Sequence, residues 1–182
     1  GLFTEYTELR IQQNRTTAIA LIKGDVIRNG SNTAGGVSAR VYKDGVLGFA
    51  SDPVVGDASI VDAVRLATEN ARFLASRAGK VGHKLPESFG SGMHDLSTKK
   101  PRRTQGEMLE FGRSLDAYLL ANYPKLSSRY VVIQCLDMEK TLLTSTGAES
   151  YSLIPRSIAY INLSMEDAEG KPVELYEIFG GR

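Results

Sequence analysis

Cysteine and histidine are the scarcest reactive residues in this sequence of 182 residues. It contains one cysteine, Cys135, and two histidines, His83 and His94. A single cysteine excludes a disulfide within the chain and is typical of proteins from a reducing compartment. We therefore expect a cytoplasmic protein, and a metal site built from imidazole and thiolate has few ligands to draw on.

Strong net charge and long apolar runs are also missing. The 22 basic and 21 acidic residues give a net charge of +1, so no overall field attracts nucleic acid or anionic lipid. No apolar run approaches the roughly 18 residues of a membrane span. Residues 1–5 lack the basic and apolar regions of a secretory signal. Neither a membrane nor nucleic acid is expected as a partner, and the start at Gly1 indicates a processed chain, a tag remnant or an excised fragment.

The residues that could form a catalytic centre do not occur in a known catalytic pattern. His83 and His94 precede Lys84 and Asp95, so the His-Glu-x-x-His pattern of zinc hydrolases is absent. Both histidines are interpreted as exposed linker residues. Cys135 lies in the apolar run 131–136 and is predicted to be a buried core cysteine rather than a nucleophile.

Other common site motifs are missing as well. There is no Gly-x-Ser-x-Gly nucleophile elbow and no Gly-x-x-x-x-Gly-Lys-Ser/Thr phosphate loop. Glu166, Asp167 and Glu169 are interpreted as hairpin-turn residues, with a hard-cation site as the alternative. The sequence therefore predicts no catalytic, cofactor-binding or metal-binding residue in this chain.

The first part of the chain is patterned as strands followed by a helix. Residues 16–52 are short apolar segments separated by pairs typical of hairpin turns, namely Gly24-Asp25, Asn29-Gly30, Gly35-Gly36 and Asp44-Gly45. Apolar residues then recur at spacings of three and four, which predicts one helical stripe: Ile60, Val64, Ala67, Ala71, Leu74 and Ala78. Its alanines make the stripe shallow, so the helix should lie close against a sheet. Gly79 is the expected C-terminal cap.

The second part begins with a helix and continues as strands. Thr104 to Glu107 form a capping box, and the predicted apolar face of the helix comprises Met108, Phe111, Leu115, Tyr118 and Leu119. Strands are predicted at 130–136, 140–145, 157–164 and 173–178. We expect an α+β fold of mostly antiparallel sheets, each packed by a long amphipathic helix, in two sheet-and-helix units. The predicted domains are 1–79 and 104–182, joined by a linker at 80–103.

The run Lys99-Lys100-Pro101-Arg102-Arg103 is the one local concentration of positive charge. Its position beside prolines and polar residues favours a solvated linker. The alternative is a patch that contacts phosphate or nucleic acid, which would need supporting aromatic residues or a known binding fold.

Three segments of the chain resemble the N-terminal domain of the TldD/PmbA family. They are Tyr6-Thr7-Glu8-Leu9-Arg10, the strands Gly36-Val37-Ser38-Ala39-Arg40-Val41 and Gly48-Phe49-Ala50-Ser51, and the amphipathic helix that follows. The stretches 145–149 and 177–182 resemble the family's next segment, which ends in a Gly-Gly-Arg-like turn. Members of this family were named modulators of DNA gyrase and are viewed as peptide-processing metallopeptidases.

The resemblance implies a scaffold whose chemistry lies elsewhere. Active members of the family hold zinc with a His-Glu-x-x-x-His helix and a distant cysteine in the C-terminal half, and nothing here matches them. The resemblance therefore implies a non-catalytic N-terminal portion, with zinc in the C-terminal domain of an active parent, a peptide substrate, and a homo- or hetero-dimer partner. The alternative is a non-catalytic module that interacts with a protein such as gyrase, or with nucleic acid.

Overall fold

The computed structural model describes residues 1–78 and 89–181. These residues form seven strands and two helices: β1 (Tyr6–Ile22), β2 (Asp25–Lys43), β3 (Val46–Asp52), α1 (Asp57–Ala78), β4 (Ser91–Asp95), α2 (Gln105–Asn122), β5 (Ser128–Thr144), β6 (Glu149–Glu166) and β7 (Pro172–Gly181). The strands follow the order β3-β2-β1-β5-β6-β4, and β7 pairs with β6. The β2–β3 and β6–β7 pairs are antiparallel, whereas β4 runs parallel to β6. The predicted α+β class with a mainly antiparallel sheet is confirmed.

The chain divides into two compact units, each drawn from three segments. Unit 1 comprises Gly1–Asn14, Ala34–Asp95 and Met138–Leu153, and unit 2 comprises Arg15–Thr33, Leu96–Asp137 and Ile154–Arg182. The strands β1, β2, β5 and β6 each contribute residues to both units, while α1 belongs to unit 1 and α2 to unit 2. The division into domains 1–79 and 104–182 stays a prediction.

In unit 1, α1 packs against the sheet through small side chains. Val64, Ala67 and Ala71 are buried, as the apolar stripe predicts, while Leu74 is 42% exposed near the end of the helix. These residues share a core with Leu9, Val37, Ala39 and Val41. Gly48 of β3 permits the close approach, because a Cβ there would lie 2.1 Å from the Ala67 carbonyl oxygen. The predicted cap Gly79 lies outside the described residues.

Two of the four predicted hairpin turns are wrong. Asp44 and Gly45 do form a turn with φ values of 48° and 93°, and Lys23 and Gly24 form another with 51° and 86°, which is typical of tight hairpins. Asn29-Gly30 and Gly35-Gly36 instead lie inside the 19-residue strand β2. At Gly35 the absent side chain serves packing, since a Cβ would lie 2.5 Å from the Gln12 carbonyl oxygen.

In unit 2, α2 begins as predicted, and Met108, Leu115 and Leu119 of its predicted apolar face pack into the core. Its capping box is confirmed, with Thr104 and Glu107 bonded reciprocally. The buried residues of the helix are Met108, Gly112, Asp116 and Leu119. The predicted core residues Phe111 and Tyr118 are 51% and 59% exposed. The helix presents Asp116 inward because its carboxylate pairs with the buried guanidinium of Arg129, at 2.9 Å from Nε.

The strands are longer than their apolar segments indicated. The predicted strands 130–136 and 140–145 are one strand, β5, which ends at Thr144. Strand β4 forms within the stretch interpreted as a linker. The linker interpretation is wrong for Ser91–Asp95, because these residues pair in parallel with β6. Their polar sequence does not predict a strand. Within the described ranges, neither helix has the length and hydrophobicity needed to cross a bilayer.

Candidate functional site

A cavity of about 740 Å³ lies in unit 2 and falls within the usual size range of ligand pockets. Its walls come from α2, β5, β6, the last residues of β7, and the segment 97–103, which is neither helix nor strand. The cavity therefore joins parts of the chain that are far apart in sequence. The local sequence pattern of each segment taken alone does not predict the cavity.

The walls of the cavity are mainly apolar. Met108 of α2 and Ile133 of β5 are only 3% and 8% exposed, and they form part of the core of unit 2. Phe111, Ile158 and Phe179 also line the cavity, but they keep between 41% and 57% of their surface exposed. A ligand with an apolar portion would cover this exposed surface, and removing apolar surface from water favours binding.

Three cationic side chains line the same cavity, and one of them is neutralised. Arg102 donates hydrogen bonds from both terminal nitrogens to the carboxylate of Asp137, a buried residue of β5. These hydrogen bonds and the attraction of the carboxylate raise the pKa of the Arg102 guanidinium, against the opposing effect of burial. The paired geometry is the strong, directional form of the arginine–carboxylate contact. Arg102 thus fixes the segment 97–103 against β5 rather than offering a free charge.

The other two cations, Lys100 and Arg103, remain available to a ligand. Neither makes an ion pair within the parts of the chain that the structure describes. The charge of Arg103 reaches Glu107, whose pKa is lowered mainly by the backbone and side-chain hydrogen bonds of Thr104 and to a smaller extent by Arg103. The interpretation of residues 99–103 as a solvated linker is incomplete, because four of these five residues belong to the cavity wall.

Cys135 lies in the wall of the cavity rather than fully inside the core. Its side chain packs against the core of unit 2 but remains partly exposed, and its sulfur lies 3.6 Å from the Ser157 hydroxyl. The prediction of a buried cysteine is therefore only partly right. Among the described lining residues no imidazole or unpaired carboxylate faces this thiol, so the arrangement suits binding rather than nucleophilic catalysis.

The other residues singled out in the sequence do not come together as a site within the part of the chain that the structure describes. His94 is exposed on β4, and His83 lies outside the described residues. Asp167 accepts hydrogen bonds from the backbone N–H groups of Glu169 and Lys171 at 2.8 and 2.9 Å, so it stabilises the turn before β7. Across the described residues, no three histidine, cysteine or acidic side chains converge as metal ligands. The described residues therefore do not fit a zinc centre.

Residues 7–71 match the model of the family described as PmbA/TldA metallopeptidase domain 1. This match includes β2, β3 and most of β1 and α1, and it confirms the resemblance to this family over the first part of the chain. The comparison with curated protein sequences found no match.

Solved structures share the fold over nearly the whole chain. One is a candidate modulator of a DNA gyrase from Thermotoga maritima MSB8, with a TM-score of 0.72 and 16% identity, covering 95% of this chain and 39% of that one. A second candidate gyrase modulator, from Bacteroides thetaiotaomicron VPI-5482, gives 0.72 and 16%, with coverage of 96% and 40%. TldE from Thermococcus kodakarensis gives 0.67 and 12%, with coverage of 98% and 40%. The chain thus spans about two fifths of the length of these proteins.

Proposed function

We propose that this chain is the non-catalytic N-terminal portion of a TldD/PmbA-like zinc metallopeptidase. Its role there is to provide scaffold, to enclose the peptide substrate and to assemble subunits. The observation that carries the proposal is the match of residues 7–71 to the first domain of a metallopeptidase family. The shared fold with TldE and the candidate gyrase modulators is consistent with it.

The edge of β7 supports the role in enclosing a peptide. In the described part of the chain β7 pairs only with β6, so its other edge keeps unpaired backbone N–H and carbonyl groups. Its apolar side chains Leu175, Tyr176 and Phe179 are each more than half exposed. Such an edge pairs readily with another extended chain, and strand addition is a common mode of peptide recognition.

Zinc belongs to the proposal only through the C-terminal domain of an active parent protein. There it would act as the Lewis acid that activates water for peptide hydrolysis. Because the residues described here do not fit a zinc centre, their proposed contribution is to hold the peptide and the partner subunit. A zinc-free PmbA-type parent would use the same N-terminal portion as an assembly partner of an active subunit.

The sequence of the parent gene beyond Arg182 tests the proposal directly. We expect a second half of the metallopeptidase type, and a His-Glu-x-x-x-His motif there would assign the active TldD type. Size-exclusion chromatography with light scattering on the full-length product should show a homodimer or a heterodimer with a co-expressed relative. A parent without a C-terminal peptidase half would refute the proposal.

A further inference from the structure

We propose that the 740 Å³ cavity of unit 2 binds a carboxylate joined to an apolar group, presented at the C-terminal end of an extended peptide. This inference names a ligand class for the enclosing role in the proposed function, and it rests on that function for the peptide. The carboxylate contacts Lys100 and Arg103, and the terminal apolar side chain covers the exposed walls.

The charges of the cavity favour a ligand with a negative group. Asp137 neutralises Arg102, so Lys100 and Arg103 are the lining cations without an ion-pair partner among the described residues. No aspartate or glutamate belongs to the described lining of the cavity. A ligand carboxylate can accept charge-assisted hydrogen bonds from Lys100 and Arg103, whereas a neutral group accepts weaker ones.

The apolar walls favour a ligand that carries more than a charge. Phe111 and Phe179 are 51% and 57% exposed, and Ile158 is 41% exposed. A small inorganic anion would leave these surfaces in water. A terminal leucine or phenylalanine would bury them, and aromatic walls supply a large contact area for such a side chain. The combination of two free cations with apolar walls therefore selects an apolar carboxylate over phosphate alone.

The position of β7 favours a peptide as the carrier of that carboxylate. Phe179, Gly180 and Gly181, the last residues of β7, line the cavity. A peptide that adds parallel to β7 along its free edge would therefore have its C-terminal end beside the cavity. Its backbone hydrogen bonds would supply affinity, and the cavity would read the terminal residue.

The single cysteine makes occupancy of the cavity measurable. Because Cys135 is the one thiol of the chain and lines the cavity, its rate of reaction with a disulfide reagent reports access to the site. The probe is acetyl-Ala-Val-Leu-Phe with a free C-terminal carboxylate, compared with the same peptide as the C-terminal amide. With the chain of 182 residues, we expect the acid peptide to bind about tenfold more tightly than the amide peptide in calorimetry. The acid peptide should also slow the labelling of Cys135 more than the amide peptide does. Equal affinity of acid and amide would overturn the proposal.

Matched charge variants test which cations are involved. We expect K100Q and R103Q each to weaken binding of the acid about two- to fivefold, the range of exposed ion pairs. K99Q is the control, because Lys99 lies in the same basic run but not in the cavity wall. Its affinity should match that of the unchanged chain, and circular dichroism should show that all three variants are folded. A loss in K99Q as large as in K100Q would show a general charge effect and contradict the assignment.

Two further ligands separate the alternatives. Octanoate has the same carboxylate and an apolar tail but no peptide backbone, so it should bind at least about tenfold more weakly than the acid peptide. Equal binding of octanoate would reject the peptide as the carrier. A short oligothymidylate that displaced the peptide and protected Cys135 would identify a nucleic-acid site instead, with the steep salt dependence of phosphate contacts.

Failure of this inference can be told apart from failure of the proposed function. A parent gene without a peptidase half would refute the function and leave the measured difference between acid and amide intact. Equal binding of the two peptides would refute the ligand class, whatever the parent gene encodes.

Discussion

Replacing Gly48 with alanine should destabilise unit 1 more than a methyl group added at any other glycine that the structure describes there. The new Cβ would lie 2.1 Å from the Ala67 carbonyl oxygen and 2.3 Å from the Ala71 backbone nitrogen. Both neighbours are backbone atoms of α1, so no flexible side chain can move aside. Reaching ordinary contact requires α1 and β3 to separate by more than about 1 Å.

The expected cost follows from what that separation disturbs. Val64, Ala67 and Ala71 are 0–1% exposed, so moving the helix opens gaps around a closely packed stripe. Overpacking in a core typically costs about 1–3 kcal/mol, and contact with fixed backbone places Gly48→Ala near the upper end, at about 3 kcal/mol.

Urea unfolding followed by circular dichroism measures this cost. The midpoint of Gly48→Ala should fall clearly below that of the unchanged chain, at a similar slope. Gly30→Ala is the matched control, because Gly30 is also a strand glycine but has nothing within 4 Å of the position that a Cβ would occupy, and no positive φ. It should be neutral or slightly stabilising. A Gly48→Ala midpoint equal to that of the control would refute the close packing of α1 on β3.

Two predictions concern unit 2. Asp116→Ala should lower the free energy of unfolding by about 3–5 kcal/mol, because it leaves the guanidinium of Arg129 buried without a partner. A double variant with apolar residues at both positions should recover much of this loss. A double variant as unstable as Asp116→Ala would show that the ion pair itself is needed. Glu107 has a folded pKa below its ordinary value of 4.5 because it accepts hydrogen bonds from Thr104. Its contribution to stability is therefore complete above that value and is lost as the pH falls through the lower folded pKa. The unfolding temperature should fall less steeply with decreasing acidic pH for Glu107→Gln than for Glu110→Gln. The same decrease in both variants would contradict the capping box.

Local signals in the sequence predicted the elements that depend on neighbouring residues. The capping box at Thr104 and the turn at Asp44-Gly45 are confirmed, since each is satisfied within a few residues of itself. The predicted turn at Gly35-Gly36 is wrong because glycine favours both tight turns and close backbone packing. Here Gly35 allows the backbone of β2 to approach Gln12. Strand pairing overrode the local preference of the chain for a turn.

The candidate cavity depended on contacts that no local pattern contains. The partner of Arg102 is Asp137, 35 positions away, so the basic run could not be separated by sequence into paired and free charges. Phe111 was predicted to face the core and lines the cavity instead. The helical period correctly predicted that Met108, Leu115 and Leu119 pack into the core. The buried ion pair of Asp116 with Arg129 helps to set which side of α2 turns inward.

The most direct test of the central claim is zinc content and peptidase activity, measured in parallel on this chain and on the full-length parent or its complex with an active relative. If the chain is a non-catalytic portion, it should hold no stoichiometric zinc and leave an unstructured peptide intact, whereas the complete metallopeptidase should contain zinc and cleave the same peptide. Tight stoichiometric zinc in this chain, or cleavage by this chain alone, would contradict that claim.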